Sequence, residues 1–250
     1  MKLALLSDIH ANRQALQACL DHARSQGADR FALLGDLVGY GAHPEQVVEQ
    51  AMRLADEGAI VLQGNHDEMA VQPPNNPSMG ASTAAWTHQQ LSPAHRAFLA
   101  ALPFTASLQH LLLVHASADQ PTQWRYVDTE RAASACMAAA HQLQPDARHV
   151  LVGHVHHQAL YYRAAGRGLM AFTPTPGVGV PMPKQRDAVV TIGSVGQPRD
   201  GDPRAMYALY DLAAERLTFQ RVAYDHVAAA VAIRAAGLPV FFAERLETGR

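Results

Sequence analysis

At 250 residues, with 48% hydrophobic and 17% charged side chains, the chain has the make-up of an ordinary globular protein, which excludes a disordered or fibrous one. A formal net charge of -2, with no basic run longer than two residues, removes the electrostatic footprint of a nucleic-acid binder. Met1 to Leu6 is too short an apolar run for a signal h-region or a membrane span, so a cytoplasmic protein with one domain over residues 1–250 is expected.

Lys2 to Leu6 reads as a buried strand. Asn12 to Gln26 reads as a helix, with Ala15, Leu16, Cys19, Leu20 and Ala23 at helical spacing and Asn12 as N-cap. Arg30 to Leu34 is a second strand, Pro44 to Asp56 a helix opened by proline, and Ala59 to Leu62 a third strand, which is the cadence of an α/β sheet. Val71 to Met79, rich in Pro and Asn, predicts a loop that sets specificity or moves on binding. Helices follow over Ser82 to Gln90 and Pro93 to Ala101, then strands at Leu111 to Val114 and Val150 to Val152 around an Ala-rich helix from Thr129 to Gln142.

In the last third, Leu160 to Arg163, Leu169 to Phe172, Ala188 to Ile192, Tyr207 to Tyr210 and Leu217 to Val222 are short strands between Gly/Pro turns. They predict an antiparallel second sheet sharing one core with the first. A helix from His226 to Ala236 and an apolar tail through Phe241 and Phe242 pack back on the body. Cys19 and Cys136, far apart in helical patterns, read as buried reduced thiols.

Five polar clusters each follow a predicted strand: Asp8-Ile9-His10, Gly35-Asp36, Gly64-Asn65-His66-Asp67, His115 and Gly153-His154-Val155-His156. Ligands of open α/β sheets bind beyond the carboxyl ends of the strands, so these clusters are expected to converge. Asp8 and His10, like His154 and His156, are two apart, which on extended backbone puts both side chains on one face, each pair gripping one site. With Asp36, Asn65 and His115 they offer carboxylate, imidazole and amide but no thiolate. Such a set suits manganese first, with iron, zinc, nickel or magnesium as alternatives, and does not suit calcium. Asp36 is the natural bridge between two cations roughly 3.5 to 4 Å apart, a spacing that clamps a phosphoryl group from both sides.

In their order, D-x-H, G-D, G-N-H-D, a lone His and G-H-x-H, these motifs resemble the calcineurin-like metallophosphoesterases, and Gly193 to Arg199 resembles a late loop of the compact bacterial phosphodiesterase and phosphatase branch. The resemblance implies a four-layer αββα sandwich with two central mixed β-sheets flanked by helices. It implies a first metal held by Asp8, His10, Asp36 and His156, and a second held by Asp36, Asn65, His115 and His154. It implies hydrolysis of a small phosphodiester or phosphomonoester by in-line attack of a metal-bridging hydroxide, with His66 stabilising the transition state or protonating the leaving oxygen. Where phosphoprotein phosphatases carry an Asp that orients this histidine and an Arg that grips phosphate, the chain has Gly39 and Tyr40, which argues against that substrate class and leaves His66 to be oriented by Asp67 or a backbone carbonyl.

The substrate-contact candidates are Asn12, Tyr40, Arg125, Tyr126 and Arg199, although Asn12 is read first as the helix cap. His157 should face away from His156. The remaining histidines, His22, His43, His88, His95, His110, His141, His149 and His226, lack partners at ligand spacing and read as solvated. A metal-binding scaffold of the same fold, without catalysis and binding partner proteins, is the alternative function. An amidohydrolase with a carboxylated lysine is disfavoured, because the lysines are Lys2 and Lys184 and neither sits in a strand-end cluster.

Overall fold

The structure is a computed structural model that describes residues 1–75, 79–163 and 168–250. In chain order it runs β1 (Lys2–Leu6), α1 (Arg13–Ser25), β2 (Arg30–Leu33), α2 (Pro44–Asp56), β3 (Ile60–Val61), α3 (Asn65–Val71), α4 (Met79–Gln90), α5 (Pro93–Ala101), β4 (Thr105–Leu108) and β5 (Leu111–Val114). It continues through a 3-10 turn (Pro121–Gln123), α6 (Glu130–Leu143), β6 (His149–Val152), β7 (Gln158–Arg163), β8 (Leu169–Phe172), β9 (Gly179–Pro181), β10 (Ala188–Ile192), β11 (Ala205–Asp211), β12 (Arg216–Val222), α7 (His226–Ala235) and α8 (Val240–Thr248).

Two mixed six-stranded sheets form, in the orders β3-β2-β1-β11-β12-β9 and β4-β5-β6-β10-β7-β8. Strands β1, β2 and β3 are parallel neighbours in the first, and β5, β6 and β10 in the second. The last third therefore does not make a sheet of its own. β9, β11 and β12 extend the first sheet by antiparallel pairing onto β1, while β7, β8 and β10 extend the second.

The strands read as continuous apolar runs because both faces of each sheet are covered. In β1, Leu3 and Leu5 face the space between the sheets, where they join Leu113, Leu151 and Val190. Ala4 and Leu6 face the opposite way, against Leu16, Leu20, Val47 and Val48 of α1 and α2. The alternation repeats in β6, where Leu151 points between the sheets and Val150 and Val152 point at Ala133, Cys136 and Met137 of α6. Helices, sheet, sheet and helix make the four layers. The closing pair α7 and α8 packs Ala230, Ile233, Phe242 and Leu246 together, with Tyr40 and Trp86 against them. No helix among the described residues is long and apolar enough to cross a membrane.

Asn12 caps α1, its side chain accepting from the Ala15 amide at 3.1 Å. Of the loop expected over Val71 to Met79, Val71 instead ends α3, 72 to 75 are non-helical, Met79 opens α4, and 76 to 78 lie outside the described residues. His149 is not solvated: it is 1% exposed at the start of β6, with Nδ1 2.8 Å from the Tyr210 hydroxyl. Both cysteines are buried and free, as expected.

Candidate metal centre

The parallel strands of both sheets run so that their carboxyl ends share one edge of the sandwich, and the five polar clusters follow those ends. The turn after β1 carries Asp8 and His10, that after β2 carries Asp36, α3 begins with Asn65 and His66, His115 follows β5, and His154 and His156 follow β6. All are buried except Asn65, which is half-buried.

Convergence comes by a route other than extended backbone. Asp8 (φ 53), His10 (φ 49), Asp36 (φ 52), His154 (φ 65) and His156 (φ 64) all occupy the left-handed region. For residues with a Cβ this costs on the order of 1 kcal/mol or more each, and it turns successive side chains inward where a strand would alternate them. Asp8 and His10 stay together as expected, whereas His154 and His156 part company. Asp8, His10 and His156 gather in one cluster and Asp36, His115 and His154 in another, with the ligand atoms of each within 4.8 Å of one another.

In the first cluster, His156 Nε2 is 3.1 Å from Asp8 Oδ1 and 3.2 Å from His10 Nε2. Asp36 Oδ2 lies 3.7 Å from His10 Nε2 and 3.4 Å from His115 Nε2, so a single carboxylate oxygen faces both clusters. Asn65 Oδ1 joins the second cluster at 3.3 Å from His115 Nε2. The other oxygen of Asp36 accepts from the His66 amide at 2.8 Å, and Asp8 Oδ2 accepts from the His154 amide at 2.9 Å.

The imidazoles are aimed from behind. His10 Nδ1 bonds the Val38 carbonyl at 3.2 Å, His115 Nδ1 that of Leu34 at 2.7 Å, and His156 Nδ1 that of Gln197 at 2.7 Å. A carbonyl only accepts, so Nδ1 carries a proton in each ring and Nε2 is turned to the centre. These carbonyls, and the loop that supplies Gln197, carry no side-chain signature in the sequence.

The electrostatics call for cations. Burial alone would raise both carboxyls, yet His156 beside Asp8 and His115 beside Asp36 hold them below the usual carboxylate range. Burial lowers His10 and His66 and takes His154 down to about 4. His115 alone goes the other way, because the Asp36 charge overcomes burial and pushes it up to about 9. Among the described residues buried Asp8 Oδ1 accepts no hydrogen bond, its near neighbour His156 Nε2 being the unprotonated edge of the ring. An unpaired buried carboxylate oxygen among inward-facing imidazole nitrogens fits divalent cations held by N and O ligands.

His66 stands at the start of α3, 7% exposed, its ring 4.3 Å from that of Tyr40 and 5.1 Å from that of His10. Asp67 does not orient it. Its carboxylate accepts from the amides of Leu37, Val38 and Gly64, stitching the Asp36 loop to α3. Gly64 is required there, since a Cβ would lie 2.2 Å from the Asp36 nitrogen.

The five substrate-contact candidates separate. Tyr40 and Tyr126 flank the centre, Tyr126 stacking on His154 at 4.3 Å between ring centroids. Arg125 is exposed and bound to Asp119 and Gln120. The Asn12 amide is spent on the Gly196 carbonyl and the Tyr224 hydroxyl. Arg199 reaches Gln197 Oε1 at 2.9 Å. His157 is exposed, facing away as expected. Arg245 of α8, which the motif reading passed over, also donates to Gln197 Oε1.

Residues 1–215 match the calcineurin-like phosphoesterase superfamily domain. A metallophosphoesterase from Sphaerobacter thermophilus is 33% identical, with a TM-score of 0.88 and full coverage of both chains. The uncharacterized protein MJ0912 of Methanocaldococcus jannaschii is 28% identical over 99% of this chain and 98% of its own. The hypothetical protein PH1004 from Pyrococcus horikoshii OT3 shares the fold, at 20% identity and a TM-score of 0.78 over 100% of this chain and 98% of that one. With its family match, its two-sheet sandwich and its strand-end clusters, the chain belongs to the calcineurin-like phosphoesterase superfamily.

Proposed function

We propose that the chain is a dinuclear-metal phosphoesterase acting on a small phosphodiester or phosphomonoester in the cytoplasm. The observation that carries this reading is Asp36 Oδ2, which faces His10 of one buried ligand cluster and His115 of the other. Asp8, His10, Asp36 and His156 would hold one cation, and Asp36, Asn65, His115 and His154 the second, with manganese the first choice. Bound there, the two cations would supply an activated water and neutralise the non-bridging phosphate oxygens.

The rest falls to the chain. His66, kept neutral by burial, carries one ring N–H. Its Nδ1 lies against Gly39, and its ring N–H would hydrogen-bond the leaving oxygen as the ester bond breaks, stabilising the developing charge while the proton stays on the ring. The leaving oxygen departs as an alkoxide and takes up the proton that the attacking water loses, so the step balances without a protein nucleophile. Tyr40, packed on His66, and Tyr126, stacked on His154, wall the approach. Gly39 and Tyr40 leave no Asp or Arg at the positions that phosphoprotein phosphatases use, which favours small substrates.

Metal-stripped protein assayed on chromogenic mono- and diesters should turn over only after Mn²⁺ is restored, and His66→Ala should lower kcat by about 10²- to 10⁴-fold. Confirmed metal uptake without turnover under any of several metals would replace this reading with that of a protein-binding scaffold.

A further inference from the structure

Beside the metal centre two guanidinium groups meet without an acid between them. Arg199, in the loop after β10, and Arg245, on α8, both donate to the same acceptor, Gln197 Oε1, at 2.9 and 3.2 Å. The backbone carbonyl of that Gln197 holds His156, so one residue joins the pair to the metal centre. The neighbouring acids are engaged elsewhere: Asp200 pairs with Arg221, and Glu247 of α8 with Arg234. Arg199 Nε is buried with no partner, while Arg245 Nε donates to the backbone oxygen of Arg250 and its guanidinium lies 4.3 Å over the Phe241 ring. Burial and the adjacent Arg199 charge hold Arg245 below its usual pKa.

The pair is also close to where a substrate would sit. Arg199 lies against the Tyr40 hydroxyl, and the Tyr40 ring packs on His66 and His10. Planar guanidinium forks recognise phosphate by two parallel N–H donors. We propose that Arg199 and Arg245 form an anion subsite beside the metal centre that takes a second phosphate, so that the natural substrate is a small molecule bearing at least two phosphate groups. This rests on the phosphoesterase reading for the position of the first phosphate. Arg199 lies within the matched family segment and Arg245 beyond it, on the closing helix α8.

The test is calorimetric and needs no turnover. Mn²⁺-loaded protein is titrated with propylphosphonate, with alkane bisphosphonates of two to four carbons, and with 3-phosphonopropionate, in which a carboxylate replaces the second phosphonate. At least one bisphosphonate should bind at least tenfold more tightly than propylphosphonate. That ratio should fall at least tenfold in Arg199→Gln and in Arg245→Gln, with Arg245→Lys, which keeps charge but loses the fork, in between. Equal binding of mono- and bisphosphonates, or a ratio indifferent to both Gln variants, overturns the proposal. Equally tight binding of 3-phosphonopropionate overturns the assignment to phosphate. A preserved bisphosphonate ratio in protein that hydrolyses no ester would discard the catalytic reading and leave the subsite standing.

Discussion

Gly39 lies against the His66 imidazole so closely that a Cβ at position 39 would sit 2.7 Å from Nδ1 and 3.0 Å from Cγ. With its φ of 89°, Gly39 is also in a backbone conformation that side chains resist. Gly39→Ala should therefore displace His66 and cost about 1 kcal/mol of stability from the backbone alone. Loss of most activity with Mn²⁺ binding retained, measured by turnover beside metal titration, is the expected pattern. Full activity would show that the His66 ring is not held by this contact.

Asp36 should matter to both cations at once. Asp36→Asn keeps an oxygen for the His66 amide but removes the charge that both clusters share. Elemental analysis after dialysis should fall from two metals per chain in the wild type to less than one. Excess Mn²⁺ at about 100 times its Kd should stabilise the wild type by about 2.7 kcal/mol for each site filled and the variant far less. Two metals retained in Asp36→Asn would end the case for a bridge.

Metal uptake should release a proton from His115. The Asp36 charge raises this imidazole to about 9, so at pH 7.5 its Nε2 is protonated before a cation arrives, whereas His10 and His154 are lowered and already neutral. Affinity should weaken as pH falls below about 9, by about one decade per unit from this group. Calorimetry at pH 7.5 in two buffers of different ionisation enthalpy checks it. No proton released would mean that His115 is not displaced from its ion pair.

His149 gives the metal-free protein a second acid sensitivity. Burial, with His110 beside it, depresses its pKa from 6.5 to about 4, so the unfolded chain binds the extra proton between those values. The stability is complete above pH 6.5 and is lost as pH falls toward 4, by about 3 kcal/mol in all. Urea unfolding across that window should show a shallower pH dependence in His149→Gln than in the wild type. Parallel curves would refute it.

Much of this was legible because the sheet interior demands unbroken apolar runs, which mark β1, β5 and β10, and because ligand chemistry restricts residue types at strand ends. What escaped had weaker signatures. β4 (Thr105–Leu108) is a half-buried edge strand with no apolar run, and β9 (Gly179–Pro181) exists only through pairing with β12. Spacing placed Asp8 and His10 together but not their left-handed turns, since D-x-H reads alike in either backbone. His149 looked like a surface residue because its partner, Tyr210, is 61 positions away in the other sheet. The Arg199 and Arg245 pair arises from helix packing, which no local motif encodes.

The first cluster joins Asp8 to His156 across 148 positions, and its last supporting group is the Gln197 carbonyl. During synthesis, a nascent chain can expose Asp8, His10 and Asp36 long before His115, His154 or His156 exist to meet them. Early segments hold only fragments of each ligand set, so a cation held by Asp8 and His156 together would be loaded late, once the two sheets have closed on each other.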